Sequence, residues 1–278
     1  MSRDLTPAAW PHLLLPASPA ADPADLDAAV KAGAFAGLRR ALELGPDATL
    51  ALVAEARLRG RGGGGYPTAE KWRACAATPA AARAIVANGY GADPAAGTDR
   101  TLVETNPYAV LEGVAIAALT VGATEAWIAL RASDELAVRT LEAAIGHATD
   151  AGFLGHDLLG SSRSLEVRVA PLSGASMIGE ETVLLKALEG RRGQPEQRPP
   201  YPQVDGLFGR PTVVGNVATF ATVPWIVVNG ATAFAAIGST ATPGTALVAV
   251  RGPKGEGIAE VPFGTTLRAI VDLVGGAG

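Results

Sequence analysis

The strongest constraint on the fold is a run of four glycines, Gly62–Gly65. Glycine tolerates positive φ angles and lets the backbone approach a ligand closely, and successive exposed N–H groups can form an anion-binding nest. Arg59, Arg61 and Lys71 add positive charge nearby. A helix is predicted to begin near Thr68, so that its N-terminus faces the same place. The run is therefore predicted to bind a phosphate group, the alternative being a flexible surface linker.

The glycine spacing by itself leaves the kind of phosphate ligand open. Gly60, Gly62 and Gly65 satisfy the dinucleotide motif G-x-G-x-x-G. That motif needs a strand immediately before it, whereas the pattern over Asp47–Leu58 predicts a helix there. A P-loop needs Gly-Lys followed by Ser or Thr, which is absent at this point.

Short apolar segments alternate with amphipathic ones along most of the chain, which predicts an α/β core. Strands are predicted at Ala84–Ala87, Ala126–Leu130 and Ser164–Ala170. Helices are predicted at Asp25–Leu44, Asp47–Leu58, Pro107–Thr120, Asp134–Thr149 and Glu180–Glu189. The predicted organisation is an extended N-terminal arm over 1–32, an α/β domain over 33–240 and a partial domain over 241–278.

The partial domain is predicted from a change of character after Gly244. Thr245–Arg251 and Glu260–Pro262 have strand patterns around a Gly/Pro turn, and Thr265–Leu273 has a helical one. Two strands and one helix are too few for an independently stable domain. We therefore expect this piece to be the first part of a larger unit.

Composition argues against several functions. The net charge of −4, without clustered lysine and arginine, does not indicate nucleic-acid binding. Cys75 is the only cysteine, so this chain is not expected to hold an iron–sulfur cluster, which usually takes four cysteines. The three histidines have no metal-like spacing, so neither a metal site nor a catalytic side chain is predicted.

The N-terminal residues do not form a convincing signal peptide, because an aspartate lies where the basic region should be. The most apolar stretch, Phe220–Ile237, is interrupted by a proline, an asparagine and a glycine. It is predicted to be a packed helix with its cap rather than a membrane span. The chain is accordingly expected to be cytoplasmic, without direct insertion into a membrane.

Four ordered segments resemble one family, the NADH-oxidising FMN flavoprotein subunit of respiratory complex I, which also occurs in NAD-linked hydrogenases and formate dehydrogenases. Leu58–Trp72 is similar to the family's L-R-G-R-G-G-x-G-F-P-T-G-x-K-W, with Tyr66 at the aromatic position. The other three segments are Gly174–Gly190, Arg191–Pro211 and Thr212–Thr219. The resemblance extends from about Gly33 to Gly278.

This resemblance implies a flavin-binding α/β core with a glycine-rich phosphate loop, followed by a partial β-grasp (ubiquitin-like) domain. It implies FMN as cofactor, NADH as electron donor and an iron–sulfur or ferredoxin-like protein as acceptor, and the setting it allows is a membrane-bound redox complex. The residues it assigns to the FMN phosphate are Gly62, Gly63, Gly65 and Lys71. Tyr66 would stack on the nucleotide.

For the flavin itself the resemblance implies hydrogen bonds from Asn88 and Asn216, and Asp93 lies in the same cofactor-contact segment. Gly179, Glu180 and Glu181 would line the NADH side. From the residues alone, without the resemblance, Glu180 and Glu181 are better explained as acids favoured at a helix start by the helix dipole.

The chain departs from the family pattern N-A-D-E-G-E-P-G-T-x-K-D-R, because Asn88–Arg100 reads N-G-Y-G-A-D-P-A-A-G-T-D-R. Tyr90 replaces an aspartate, and Gly91 and Asp93 replace glutamates. The residues that are kept are Asn88, Pro94, Asp99 and Arg100. Hydrogen bonds are worth about 1–3 kcal/mol each, so their loss would weaken cofactor binding, and Tyr90 would add bulk.

Further departures are Ser176 for a tyrosine, Gly215 for an asparagine and Ala218 for a glutamate. These changes leave two other hypotheses open. One is a degenerate, non-catalytic relative that serves as a structural or assembly subunit of a redox complex. The other is a flavin-dependent enzyme with a different electron donor or acceptor.

Overall fold

The core of the protein is a four-stranded parallel sheet in the order β3-β2-β1-β4. The computed structural model describes residues 3–18, 20–91, 93 and 95–276, so Pro94 lies outside the described residues. The strands are β1 (Ala84–Asn88), β2 (Glu125–Arg131), β3 (Glu166–Leu172) and β4 (Thr212–Asn216). The α/β prediction is confirmed, as are the three predicted strands.

The helices described are α1 (Leu26–Lys31), α2 (Ala36–Leu44), α3 (Pro46–Glu55), α4 (Thr68–Ala77), α5 (Thr98–Thr105), α6 (Pro107–Val121), α7 (Glu135–Asp150), α8 (Glu181–Leu188), α9 (Val217–Asn229), α10 (Ala231–Ala235) and α11 (Leu267–Asp272). The single helix predicted over Asp25–Leu44 is wrong. Two helices form instead, because Gly33 (φ 106°) and Phe35 (φ 63°) leave the right-handed region. The helix predicted to reach Leu58 ends three residues earlier, before the left-handed Arg57 (φ 54°).

The inner strands β1 and β2 are largely buried on both faces and are mostly apolar, whereas the edge strand β3 carries the exposed residues Glu166 and Arg168. Alternate residues of β1 point to opposite sides. Ile85 and Ala87 belong to the large core under α6, α7 and α9, whereas Ala84 and Val86 pack in a smaller cluster with Leu184 of α8. The stretch Phe220–Ile237 falls on α9 and α10, and most of α9 is buried, as the prediction of a packed helix requires.

The strand order creates a topological switch point between β1 and β4. The chain passes from β1 outward through β2 to β3, and then returns to add β4 on the other side of β1. The last residues of these two strands, Asn88 and Asn216, are paired in register. Ligands of open α/β sheets bind outside the carboxyl ends of the strands at such a point.

The remaining residues form a β-hairpin of β5 (Thr245–Gly252) and β6 (Gly255–Pro262), with α11 after it. In the N-terminal segment, Asp4 forms a bridge to Ile258 on β6. A hairpin and one helix do not test the β-grasp prediction, which stays a prediction.

Across the described ranges, we find no helix with the length and apolar character that crossing a membrane requires.

Helices α6 and α9 approach each other closely at Gly113. A Cβ placed there would lie 1.9 Å from the carbonyl oxygen of Phe220. We expect Gly113→Ala to destabilise the protein by about 1–3 kcal/mol, because the two backbones must move apart. Gly146 on α7 is the matched control, since no atom outside its own helix lies within 4 Å of its Cβ position. Gly146→Ala should stabilise the helix by up to about 1 kcal/mol.

Urea unfolding of both variants measures this difference. Equal free energies of unfolding for Gly113→Ala and Gly146→Ala would contradict the close approach of the two helices.

Candidate functional site

A cleft of about 750 Å³ opens at the switch point. This volume lies within the roughly 300–1,000 Å³ that is typical of ligand pockets. The glycine loop forms one wall, the ends of β1 and β4 form the floor, and the residues around the start of α8 form the opposite wall. A smaller pocket of about 190 Å³ adjoins it and shares Gly62, Asn88, Gly179 and Asn216 with the cleft.

The glycine loop is a hydrogen-bonded turn between α3 and α4. Gly60 N donates to the carbonyl oxygen of Tyr66 (2.9 Å), and Arg59 Nη1 donates to that of Gly65 (3.1 Å). Gly63 (φ 100°) and Gly65 (φ 60°) have positive φ angles, and no atom lies within 4 Å of the Cβ position of either. The loop therefore has a defined conformation with open space beside it, which argues against the linker alternative. A helix precedes it, so it is not a Rossmann loop.

Lys71, in the first turn of α4, lines the cleft and is held between two elements. Its Nζ donates to Glu181 Oε2 (2.9 Å) and to the carbonyl oxygen of Val214 (3.0 Å). Arg198 pairs with Glu181 and also with Glu180 Oε1 (2.9 Å). Two cations and two carboxylates are thus linked by ion pairs in the order Lys71, Glu181, Arg198 and Glu180. Arg198 was not predicted as a site residue, although it lies in Arg191–Pro211, one of the four segments that resemble the family.

Glu180 has both of the roles that the sequence left open. Its Oε2 caps α8 by accepting from the backbone N–H groups of Thr182 (2.9 Å) and Val183 (3.0 Å). Its other oxygen faces Arg198 in the cleft. Burial opposes ionisation of Glu180, but the hydrogen bonds from Thr182 and Val183 and the charge of Arg198 outweigh this effect and lower its pKa.

The side-chain amide of Asn88 has partners within the protein. Asn88 Nδ2 donates to the carbonyl oxygen of Gly179 (2.8 Å), and its Oδ1 accepts from Tyr90 N (3.1 Å). Asn88 therefore connects the end of β1 to the segment before α8. The hydrogen bond from Asn88 to a flavin stays a prediction.

Asn216 is engaged in the same way at the end of β4. Its Oδ1 caps α9 at Ala218 N (2.9 Å), while its Nδ2 donates to Asp99 Oδ2 (2.8 Å). Desolvation of the Asp99 carboxyl group raises its pKa to about 6, even though the Asn216 hydrogen bond opposes that shift. The predicted site residue Asp93 lines the smaller pocket rather than the cleft.

Aromatic side chains lie at the rim of the cleft. Tyr66 is 57% exposed and Tyr201 is 54% exposed, and both line the cleft. Their rings are accessible to a flat ligand. Tyr90, by contrast, is only 1% exposed, and it lines the smaller pocket but not the larger cleft. The large side chain of Tyr90 therefore does not occupy the larger cleft.

Arg61, which the sequence indicated only as a positive charge near the loop, connects the glycine loop to two other parts of the chain. Its backbone N–H donates to Thr219 Oγ1 on α9 (2.8 Å), and its Nη2 donates to the carbonyl oxygen of Pro243 (2.8 Å). Its guanidinium lies 4.5 Å from the centroid of the Phe263 ring. Burial lowers the pKa of Arg61 to about 10, so it stays charged at neutral pH.

A parallel α/β sheet with a glycine loop, a helix N-terminus and a lysine at its switch point defines a nucleotide-binding domain. Residues 53–225 match the model of the Nuo51 FMN-binding domain family. This match covers more than half of the chain. The chain belongs to that family.

Two relatives illustrate the similarity. A protein of Streptomyces coelicolor that is a component of NADH-quinone oxidoreductase is 42% identical over 243 residues, which cover 87% of this chain and 54% of that protein. The HndC component of the NADP-reducing hydrogenase of Solidesulfovibrio fructosivorans is 37% identical over 256 residues, covering 92% and 52%. The chain therefore spans about half the length of these relatives.

Among solved structures, the chain is similar to part of an NAD⁺-reducing [NiFe]-hydrogenase in the H₂-reduced state. The TM-score is 0.86 at 32% sequence identity. The superposition covers 100% of this chain and 45% of the other.

Proposed function

We propose that this chain binds FMN in the cleft and takes electrons from NADH for transfer to an iron–sulfur partner. The observation that carries the proposal is the convergence of the glycine loop, the N-terminus of α4 and Lys71 on the carboxyl ends of β1 and β4. The family match and the two relatives, both named as components of oxidoreductases, support it.

The residues present fit the phosphate end of FMN. The N–H groups of Gly62–Gly65 would hold the phosphate beside open space, and the N-terminus of α4 would favour its negative charge. A lysine ammonium has three donors, and two of those of Lys71 are engaged within the described part of the chain. The third donor would be directed to the ligand.

The rim and the opposite wall fit the aromatic rings and the dinucleotide. Tyr66 and Tyr201 offer exposed ring faces for stacking, and Gly179, Glu180 and Glu181 would line the NADH side. Bound FMN supplies the redox chemistry, since it accepts a hydride and can release electrons one at a time. The role of this chain is to hold the two ligands within stacking distance and exclude water.

The acceptor would be an iron–sulfur centre outside these 278 residues. This chain has one cysteine, Cys75, which is buried in the core and does not line the cleft. We propose a ferredoxin-like or other iron–sulfur partner, in a complex that keeps the chain in the cytoplasm beside a membrane. The names of the relatives as components of larger enzymes are consistent with such an assembly.

A structural or assembly role is the second candidate. It is favoured by Tyr90 and Gly91 at positions where the family pattern has acids, and by the engagement of Asn88 and Asn216 within the protein. This candidate predicts a stable complex with a redox partner but no flavin binding.

Titration of the purified protein with FMN and with riboflavin tests the proposal, using quenching of flavin fluorescence and retention of colour through gel filtration. We expect FMN to bind at least about 10-fold more tightly than riboflavin, because charge-assisted hydrogen bonds to a phosphate contribute about 1.5–3 kcal/mol. Failure of both ligands to bind would refute the proposal and favour the structural role. Equal affinity for the two would refute the phosphate role of the glycine loop.

A further inference from the structure

A pair of residues, the buried Tyr90 and the partly buried Arg131, joins the loops at the carboxyl ends of β1, β2 and β3. The hydroxyl of Tyr90 donates to the carbonyl oxygen of Gly174 (2.6 Å), just after β3. Arg131, the last residue of β2, has its guanidinium carbon 4.1 Å from the centroid of the Tyr90 ring. Its Nη2 also donates to the carbonyl oxygen of Gly91 (2.7 Å). Three strand ends are therefore connected through one tyrosine ring.

The pair fixes the segment that leads into α8. Tyr90 holds this segment at Gly174, and Asn88 holds it at Gly179 (2.8 Å). Glu180 and Glu181 follow directly and form one wall of the cleft. A displacement of the segment would thus move the carboxylates that face Lys71 and Arg198.

A tyrosine at position 90 can form contacts that an ionised carboxylate could not form there. The partner is a carbonyl oxygen, which only accepts hydrogen bonds, and an ionised carboxylate cannot donate one. A phenol donates, and its ring also presents a face to a cation. Tyr90 is 1% exposed, so its hydroxyl needs a partner inside the protein.

We propose that Tyr90 and Arg131 are positioning residues that hold the segment 174–181 in the conformation required for FMN binding. This inference rests on the proposed function only in naming FMN as the ligand. The pre-organisation of the segment is a property of the protein without ligand and is measurable separately. Neither residue lines the larger cleft, so the pair would act on that cleft through Gly174 and Gly91.

Amide hydrogen exchange of the FMN-free protein tests the pair directly. We expect Tyr90→Phe to accelerate exchange of the amides in 174–181 by about 3- to 10-fold, since a hydrogen bond of roughly 0.5–1.5 kcal/mol is lost. The matched control is Tyr108→Phe, because Tyr108 is equally buried and donates to the carbonyl oxygen of Ala24 at the same 2.6 Å. This control should leave exchange in 174–181 unchanged.

FMN affinity gives the second measurement. Tyr90→Phe and Arg131→Met should each weaken FMN binding by about 3- to 10-fold, while Tyr108→Phe should not. Unchanged exchange in 174–181 for Tyr90→Phe, or equal acceleration by the control, would overturn the inference. Faster exchange with unchanged FMN affinity would overturn the link to the cofactor site. If the unaltered protein binds no FMN, the proposed function fails, and the exchange result still decides the pair.

Discussion

Lys71→Ala is expected to weaken FMN binding about 10- to 100-fold. A hydrogen bond from a charged donor contributes about 1.5–3 kcal/mol, and its removal also takes from Glu181 one of its two cationic partners beside the ligand phosphate. The measurement is the FMN dissociation constant from fluorescence quenching. Binding of riboflavin, which lacks the phosphate, should change much less.

Lys186→Ala is the matched control for this variant. Lys186 is also a partly buried lysine paired with a glutamate, Glu196, but it does not line the cleft. We expect it to bind FMN like the unaltered protein. If Lys71→Ala and Lys186→Ala bind FMN equally well, Lys71 does not hold the phosphate.

Glu260→Ala is expected to lower the free energy of unfolding by about 3–5 kcal/mol. Glu260 on β6 is fully buried, and its carboxylate accepts from the backbone N–H groups of Leu13 (2.9 Å), Leu14 (3.0 Å) and Leu15 (2.9 Å). It also accepts from the hydroxyl of Thr245. Truncation leaves these buried donors without their acceptor, and each unsatisfied donor costs about 1–3 kcal/mol before relaxation.

Urea unfolding measures this loss. Glu256→Ala is the control, because Glu256 lies on the same strand but is exposed and pairs with exposed Arg251. The control should change the free energy of unfolding by less than about 0.5 kcal/mol. A loss of similar size in both variants would show that the buried carboxylate is not what connects residues 13–15 to the hairpin.

Local patterns predicted much of the fold. The strands containing Ile85 and Ile128 were predictable because each is a short apolar run, and the strand containing Val167 because apolar residues alternate along it. Strand β4 and helix α5 were missed. The apolar part of β4 is only Val213 and Val214, and this is too short for a periodicity argument.

The site was predictable to a smaller extent. The glycine loop was recognisable because its chemistry is local, and Lys71 lies within the same segment. The contacts of Arg61 with Thr219 and Pro243 span 158 and 182 residues along the chain, so no window of sequence contains them. Tyr90 was expected to add bulk, whereas its ring packs under Arg131 outside the larger cleft.

The sequence by itself determined the α/β class and the capacity of Gly62–Gly65 to surround an anion, because both depend on residue type and short-range spacing. Only the tertiary structure decided where that capacity is used. The return of β4 to the side of β1 places Asn216 beside Asn88, and the packing of α8 brings Glu181 to Lys71 across 110 residues. These placements follow from packing helices on both sides of one sheet, which is a property of the whole chain rather than of any segment.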